Sequence, residues 1–328
     1  MAWFLAFFRP VALKHGWPHR SWEAGSGAGE AAGMDKKSRD APRRPAGSRS
    51  ERPEAAAAAG RLCLTDPMTS ADSSVFETTR PASADYLTRL AASDAGRDYK
   101  GRMLDALDLR AGLAVLDAGC GPGTDLPALA EAVAPGGTVI GVDRDQEMLD
   151  GAAARTAARP CVELRRGDLH ALPLDDAVVD RARTDRVLQH VDDPARALAE
   201  FHRVLRPGGR LVMGEPDWDT LAVDHPDPAL SRAYTRHITE RVVRNAAIGR
   251  QLARLATGAG FRVPEVMPVT QVFRDVRSAD RVFGFERTTR RAVGAGYLTE
   301  AQAAEWLDHL AHGPFLASAT LYVVVAEA

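Results

Sequence analysis

Residues 115–126 read VLDAGCGPGTDL. A short apolar run ends in Asp117 and then breaks into glycines at alternate positions, Gly119, Gly121 and Gly123. An apolar run closed by glycines reads as a buried strand turning into a helix. A plain strand-to-helix turn needs one glycine. Three remove the side chains that would hold a ligand off the backbone. The helix that follows begins with N–H groups lacking intrahelical partners, and those donors suit a carboxylate or phosphate. A dinucleotide fingerprint would place its third glycine at 124, where this chain has Thr124. The departure favours a different ligand. Asp143 follows Gly123 by twenty residues, at the end of the next predicted strand, where an acidic side chain accepts hydrogen bonds from ribose hydroxyls.

Outward from this stretch, strands and helices alternate. Strands are predicted at 114–119, 138–143, 161–168, 178–185 and 210–216, with helices at 125–135, 146–158 and 192–209. The last helix is well punctuated: Asp193 suits the cap, Pro194 the first helical position, and Leu198, Phe201, Val204 and Leu205 form an apolar stripe. Upstream, Tyr86, Leu87, Leu90, Tyr99, Met103, Leu104 and Leu107 recur at helical spacing, and Gly112 ends that segment. Downstream, a long helix is predicted at 228–256, an extended run at 263–276, helices at 278–293 and 299–312, and a terminal strand at 318–328. Alternation of this kind predicts an α/β fold, a parallel sheet covered by helices on both faces. Ligands of such sheets sit at the carboxyl ends of the strands, where strand order reverses.

The 328 residues carry a formal net charge of −2 and a 45% hydrophobic fraction, enough for a large core and without the basic footprint of a nucleic-acid or membrane binder. No nucleic acid and no membrane is expected as a partner. Cys63, Cys120 and Cys161 are far apart, have no metal-ligand spacing, and suggest neither a disulfide framework nor a metal site, which points to a cytoplasmic setting. The opening MAWFLAFFRPVAL is too short to span a bilayer. Residues 1–70 are rich in Gly, Ala, Ser, Pro and Arg and are expected to be a disordered tail; Met34 and Met68 are candidate translation starts.

Five blocks then occur in order: VLDAGCGPG (115–123), VIGVDRDQEML (139–149), RRGDLHALPL (165–174), VVDRARTDRVLQHVDDP (178–194) and RVLRPGGRLVM (203–213). In these the chain resembles the class I S-adenosylmethionine-dependent methyltransferases, specifically the small-molecule group similar to the enzymes of ubiquinone and menaquinone biosynthesis, from about Tyr86 to the C-terminus. The resemblance implies a Rossmann-like, doubly wound, mostly parallel seven-stranded sheet with an antiparallel C-terminal strand. It implies S-adenosyl-L-methionine as cofactor, its methionine part over Gly119 to Gly123 with Asp117 facing that end. Its ribose falls on Asp143 and its adenine amine on Asp168, with Leu169 lining the adenine pocket. Cys120 and Arg144 lie within the same blocks and are counted with the cofactor residues. The donor set makes chemical sense, because this cofactor presents a carboxylate, an ammonium, a sulfonium, a diol and an amine.

Methyl transfer needs alignment more than a nucleophile on the protein, but an oxygen or nitrogen acceptor also needs a base. His190, with a reference pKa of about 6.5, is the candidate, its alternative role being to line the pocket. Glu215 and Trp218 are candidate substrate contacts, with Asp217 beside them, since the segment after the fifth strand falls at the same sheet edge; Tyr99, in the helical segment before the first strand, is a further candidate that closes over the cofactor, against plain packing. Residues 71–328 are expected to form one methyltransferase domain. Its helical lid segments, about 220–256 and 278–314, would have an apolar inner face of Phe283, Phe285 and Trp306. Arg287, Arg290 and Arg291 are candidates for an acidic acceptor, against an ordinary exposed cationic face. The acceptor is expected to be a small molecule, secondary-metabolite or quinone-like. A nicotinamide oxidoreductase and a noncatalytic cofactor-binding protein are the alternatives. Self-association as a homodimer stays open.

Overall fold

A computed structural model describes residues 87–88 and 91–328. The N-terminal tail and Tyr86 lie outside the described residues. Helix α1 (Asp94–Ala106) leads into β1 (Ala114–Ala118), and α2 (Leu126–Val133), β2 (Thr138–Asp143), α3 (Gln146–Thr156), β3 (Val162–Arg166), β4 (Val179–Asp185) and α4 (Pro194–Val204) follow. The seven strands are ordered β3-β2-β1-β4-β5-β7-β6, where β5 is Leu205–Val223, β6 is Arg262–Phe273 and β7 is Ala317–Glu327. Neighbours from β3 to β5 pair in parallel; β7 runs antiparallel to both β5 and β6. The doubly wound sheet with its antiparallel terminal strand is therefore present, and strand order reverses between β1 and β4.

The strand period explains the layering. In β1, Val115 joins a cluster with α1, α2 and α3 on one face, while Leu116 joins α4 and α6 (Ile248–Gly258) on the other. In β7, Val323 and Val325 face the first cluster and Val324 the second. Successive residues alternate faces, so a strand apolar throughout must be covered on both sides. Helix α4 is punctuated as its sequence predicts: Asp193 accepts from the Arg196 N–H at 3.0 Å, Pro194 opens the helix, and Ala197, Leu198, Phe201 and Val204 are buried.

Three differences from the sequence reading matter. Strand β5 runs from Leu205 to Val223 rather than 210–216, because its far half pairs with β7 beyond a register irregularity between Asp217 and Ala222. The expected helix at 228–256 is divided into α5 (Pro228–His237), a π-helical turn (Ile238–Val242) and α6. The one at 278–293 is broken by Gly284, left-handed at φ 58°, which separates α7 (Val276–Phe283) from α8 (Phe285–Gly294). With α9 (Glu300–His312), these helices bury a third apolar cluster that holds Phe283, Phe285 and Trp306.

Candidate active site

A cleft of about 270 Å³ opens at the carboxyl ends of β1, β2, β3 and β4. It is lined by Asp117, Gly119, Cys120, Gly121, Asp143, Arg144, Asp168, Leu169 and His190, which brings together nine of the positions singled out in the sequence. Gly123 stands behind it: a Cβ there would meet Ala152 of α3 at 2.9 Å, so this glycine lets α3 pack against the loop.

The loop is bare, as expected, but its amides are largely used within the fold. Gly119 N–H and Cys120 N–H both donate to the Val142 carbonyl, at 2.7 and 3.0 Å, and Gly123 N–H donates to the Cys120 carbonyl at 3.0 Å. Gly121 N–H donates to Asp143 Oδ2 at 2.9 Å, and Asp145 N–H to Asp143 Oδ1 at 3.0 Å. One loop amide therefore holds Asp143 in place; a carboxylate with two such bonds still has lone pairs for a diol. Gly119, at φ 76°, abuts the segment after β4, where a Cβ would lie 2.3 Å from Val187 Cγ2. The first turn of α2 has no side-chain cap, because Asp125 is engaged elsewhere, and Thr124 and Asp125, just ahead of it, line the cleft.

Asp125 belongs to a buried charge cluster at the cleft floor that the sequence reading missed. Lys100 of α1 reaches Asp125 at 2.5 Å and Asp185 at 2.6 Å. Arg183 lies 3.0 Å from Asp125, 3.4 Å from Asp185 and 3.7 Å from Asp117. Burial works against ionisation of Asp125 and Asp185, yet the neighbouring cations outweigh it and both carboxyls are held low. Asp117 is where burial wins, its carboxyl pushed up to about 6 against the pull of Arg183. The only signal in the sequence was a strand dense in charge, VDRARTD (179–185), in which Arg183 and Asp185 fall at the carboxyl end. Nothing local pointed to Lys100.

At the other end, Asp168 Oδ1 accepts from the His170 N–H at 2.8 Å and lies 2.7 Å from His170 Nδ1. His170 Nε2 accepts from Asp193 N–H at 3.1 Å, so the ring proton sits on Nδ1 and is donated to Asp168. The backbone bond is the first cause of the lowered Asp168 carboxyl. His190 lines the cleft as a neutral imidazole: burial foremost, then Arg186 and Arg144, press it down to about 4.

Three expected substrate contacts lie elsewhere. Tyr99 is fully buried, donates its hydroxyl to Asp185 Oδ2 at 3.1 Å and is raised to about 12 chiefly by burial. Glu215 is also inaccessible, its Oε1 accepting from the Val187 and Leu188 N–H groups at 2.8 and 2.6 Å. Trp218 is 3% exposed and donates Nε1–H to Gln189 Oε1 at 2.8 Å. Glu215 and Trp218 lie within the lengthened β5 and hold the β4–α4 loop through Val187, Leu188 and Gln189 instead of facing the cleft; Asp217 is likewise buried and paired with Arg250. The cleft lining runs from Leu87 to Asp192 and draws on neither 220–256 nor 278–314. Arg290 is exposed and pairs with Glu286 at 2.7 Å.

Residues 116–213 match the family model described as a methyltransferase domain. The chain is 63% identical over 254 residues to an uncharacterized 37.1 kDa protein in transposon Tn4556 of Streptomyces fradiae, covering 77% of this chain and 74% of the relative. It is 34% identical over 139 residues to demethylmenaquinone methyltransferase of Staphylococcus aureus, covering 42% of this chain and 58% of that enzyme's length. The YcgJ protein of Bacillus subtilis shares the fold at a TM-score of 0.51 and 19% identity, covering 70% of this chain and 98% of that one. A seven-stranded sheet of this order, a bare loop after β1 and acidic groups at the ends of β2 and β3 define a nucleoside-binding α/β enzyme. The chain belongs to the class I methyltransferases that use S-adenosylmethionine as methyl donor.

Proposed function

We propose that this protein methylates a small organic acceptor, secondary-metabolite or quinone-like, in the cleft above β1 and β4. The observation that carries the reading is Asp143: buttressed by two backbone amides, it stands at the end of β2 beside a loop with no side chain at Gly121. The residues fit the donor. Asp143 takes the ribose hydroxyls, Asp168 the adenine amine beside Leu169, and Asp117 the ammonium over Gly119, Cys120 and Gly121. The uncapped start of α2 takes the carboxylate, and Arg144 lies at the rim next to Asp143.

The donor supplies an electrophilic methyl on a sulfonium, and transfer is an in-line displacement. The protein's part is to hold the acceptor on that line, and orientation of this kind is worth about 7–11 kcal/mol in well-aligned reactions. The acceptor wall consists of Leu87, Arg186, Val187, His190 and Val191. His190, neutral in the folded protein, accepts a hydrogen bond from the acceptor and orients it; with its basicity this low it takes a proton only from an acidic group.

Calorimetric titration with S-adenosylhomocysteine and, separately, NADH tests the donor: the first is expected to bind and the second not. Incubating the enzyme and an isotopically labelled methyl donor with a metabolite extract, followed by mass spectrometry, identifies the acceptor by its gain of label. A well-folded protein that fails to retain S-adenosylhomocysteine at millimolar concentration would end this reading.

A further inference from the structure

We propose that Asn245 is a positioning residue for methyl transfer: it fixes the main chain on either side of His190, and with it the acceptor wall, while standing behind the cleft. This rests on the methyl-transfer reading above. The wall from Arg186 to Val191 is a short connection between β4 and α4. A local bond runs within it, from His190 N–H to the Val187 carbonyl at 2.9 Å. Other ties come from elements distant in sequence. Its amides are held by β5: Arg186 N–H donates to the Gly214 carbonyl at 2.8 Å, and the Val187 and Leu188 amides donate to Glu215 Oε1. Its carbonyls are held by Asn245. Nδ2 donates to the Leu188 and Val191 carbonyls, both at 2.8 Å, and the Asn245 backbone N–H donates to the Gln189 carbonyl at 3.1 Å. These three carbonyls bracket His190. A carbonyl only accepts, so the side-chain amide must turn its nitrogen to both of its partners.

Asn245 can hold the wall because it is itself held. It lies between the π-helical turn and α6, and its carbonyl accepts from Ile248 N–H at 3.0 Å. The next carbonyl, of Ala246, accepts from Trp218 N–H at 2.8 Å, which ties this segment to β5. Gly249, in the first turn of α6, presses on the same strand: a Cβ there would lie 2.7 Å from the Glu215 carbonyl oxygen. Val243 and Ala246 are buried with Ile238 in the helical cluster. The clamp therefore runs from packed structure to the wall. It meets the wall beyond Val187, the residue that abuts the glycine loop at Gly119. Glu215 braces the end of the turn next to the donor loop, and Asn245 braces the end that carries His190. Without the Asn245 amide, the Leu188 and Val191 carbonyls turn to water for their hydrogen bonds and His190 moves with them. A displacement of about 1 Å is enough to cost about a hundredfold in a reaction that depends on alignment.

The test uses purified protein with nitrogen-15 histidine, saturated with S-adenosylhomocysteine and followed by NMR from pH 4 to 8. His190→Asn identifies the His190 imidazole signal by its disappearance. In wild type that ring is expected to stay largely neutral down to about pH 5. Two variants are compared: Asn245→Ala, and Asn245→Asp, which has the same shape and no N–H to donate. In both, the ring is expected to titrate about one unit higher, because it gains solvent while Arg186 and Arg144 stay in place. Labelled-methyl transfer into the metabolite extract should slow about 10- to 100-fold. Affinity for S-adenosylhomocysteine should stay within about twofold of wild type. Wild-type titration of His190 in both variants, whatever their melting temperature, overturns the inference and leaves Asn245 a scaffold contact. Asn245→Asp behaving as wild type overturns it too, because donation to the two carbonyls would then not hold the wall. So does undiminished label transfer, or a parallel loss of S-adenosylhomocysteine affinity, which would assign Asn245 to the donor loop. Where no species in the extract gains label, the imidazole signal decides. Failure of S-adenosylhomocysteine to bind wild type would instead remove the methyl-transfer reading beneath it.

Discussion

Asp143 and His190 show how far a single side chain is specified by its neighbours. Asp143 orders the loop as well as facing the cleft, so Asp143→Ala removes a ligand acceptor and strands the Gly121 and Asp145 amides. Losing charge-assisted hydrogen bonds of about 1.5–3 kcal/mol predicts a roughly 10- to 100-fold weaker affinity for S-adenosylhomocysteine, read by calorimetry. Asp143→Asn, which keeps one acceptor oxygen, should fall between. For His190 the pH dependence has a definite sign. The folded value of about 4 lies below the ordinary 6.5, so the unfolded chain takes the proton first and stability is lost as pH falls through that window. Melting curves at pH 7 and pH 4.5 should show a smaller drop for His190→Asn than for wild type. Equal drops would mean that His190 is not held neutral.

Much of the element scale was legible because helix ends and strand periods are local properties. Asp193 and Pro194 announce α4, and the loop after β1 announces a ligand site by its glycines alone. What was not legible depends on partners distant in sequence. The far half of β5 is held as a strand by β7, a hundred residues away, as Thr320 N–H donating to Thr220 Oγ1 illustrates. The buried acids at the cleft floor make sense only once α1 delivers Lys100. Glu215 and Trp218 were assigned to the right sheet edge but to its wrong side, since strand position alone does not say which neighbours cover an end. Lys100 ties α1 to both the β1–α2 turn and the end of β4. Lys100→Met should destabilise the fold by about 3–5 kcal/mol in urea titrations, since it leaves buried carboxylates short of a counter-charge. Hydrogen exchange should show α1 losing protection ahead of the sheet.

At the scale of the whole molecule, the apolar interior is divided in three: one cluster on each face of the sheet and a third among α5, α7, α8, α9 and the ends of β5 and β7. The first two fix the carboxyl ends of the strands and therefore the cleft. The third centres on Trp306, fully buried, stacked on Tyr234 at 5.2 Å and edge-on to Phe285 at 6.4 Å. None of those rings lines the cleft. The division predicts that stability and donor binding separate. Trp306→Ala should cost about 3–5 kcal/mol, the usual loss for a buried aromatic truncated to alanine. Affinity for S-adenosylhomocysteine, measured well below the lowered melting temperature, should remain within about twofold of wild type. Because a ligand bound to the native state stabilises by mass action, about 2.7 kcal/mol at a hundredfold excess over the dissociation constant, the same ligand should raise the variant's transition by a comparable free energy. If Trp306→Ala instead lost donor affinity in proportion to stability, the helical cluster and the cleft would be one cooperative unit, and the sheet alone would not hold the donor site in shape.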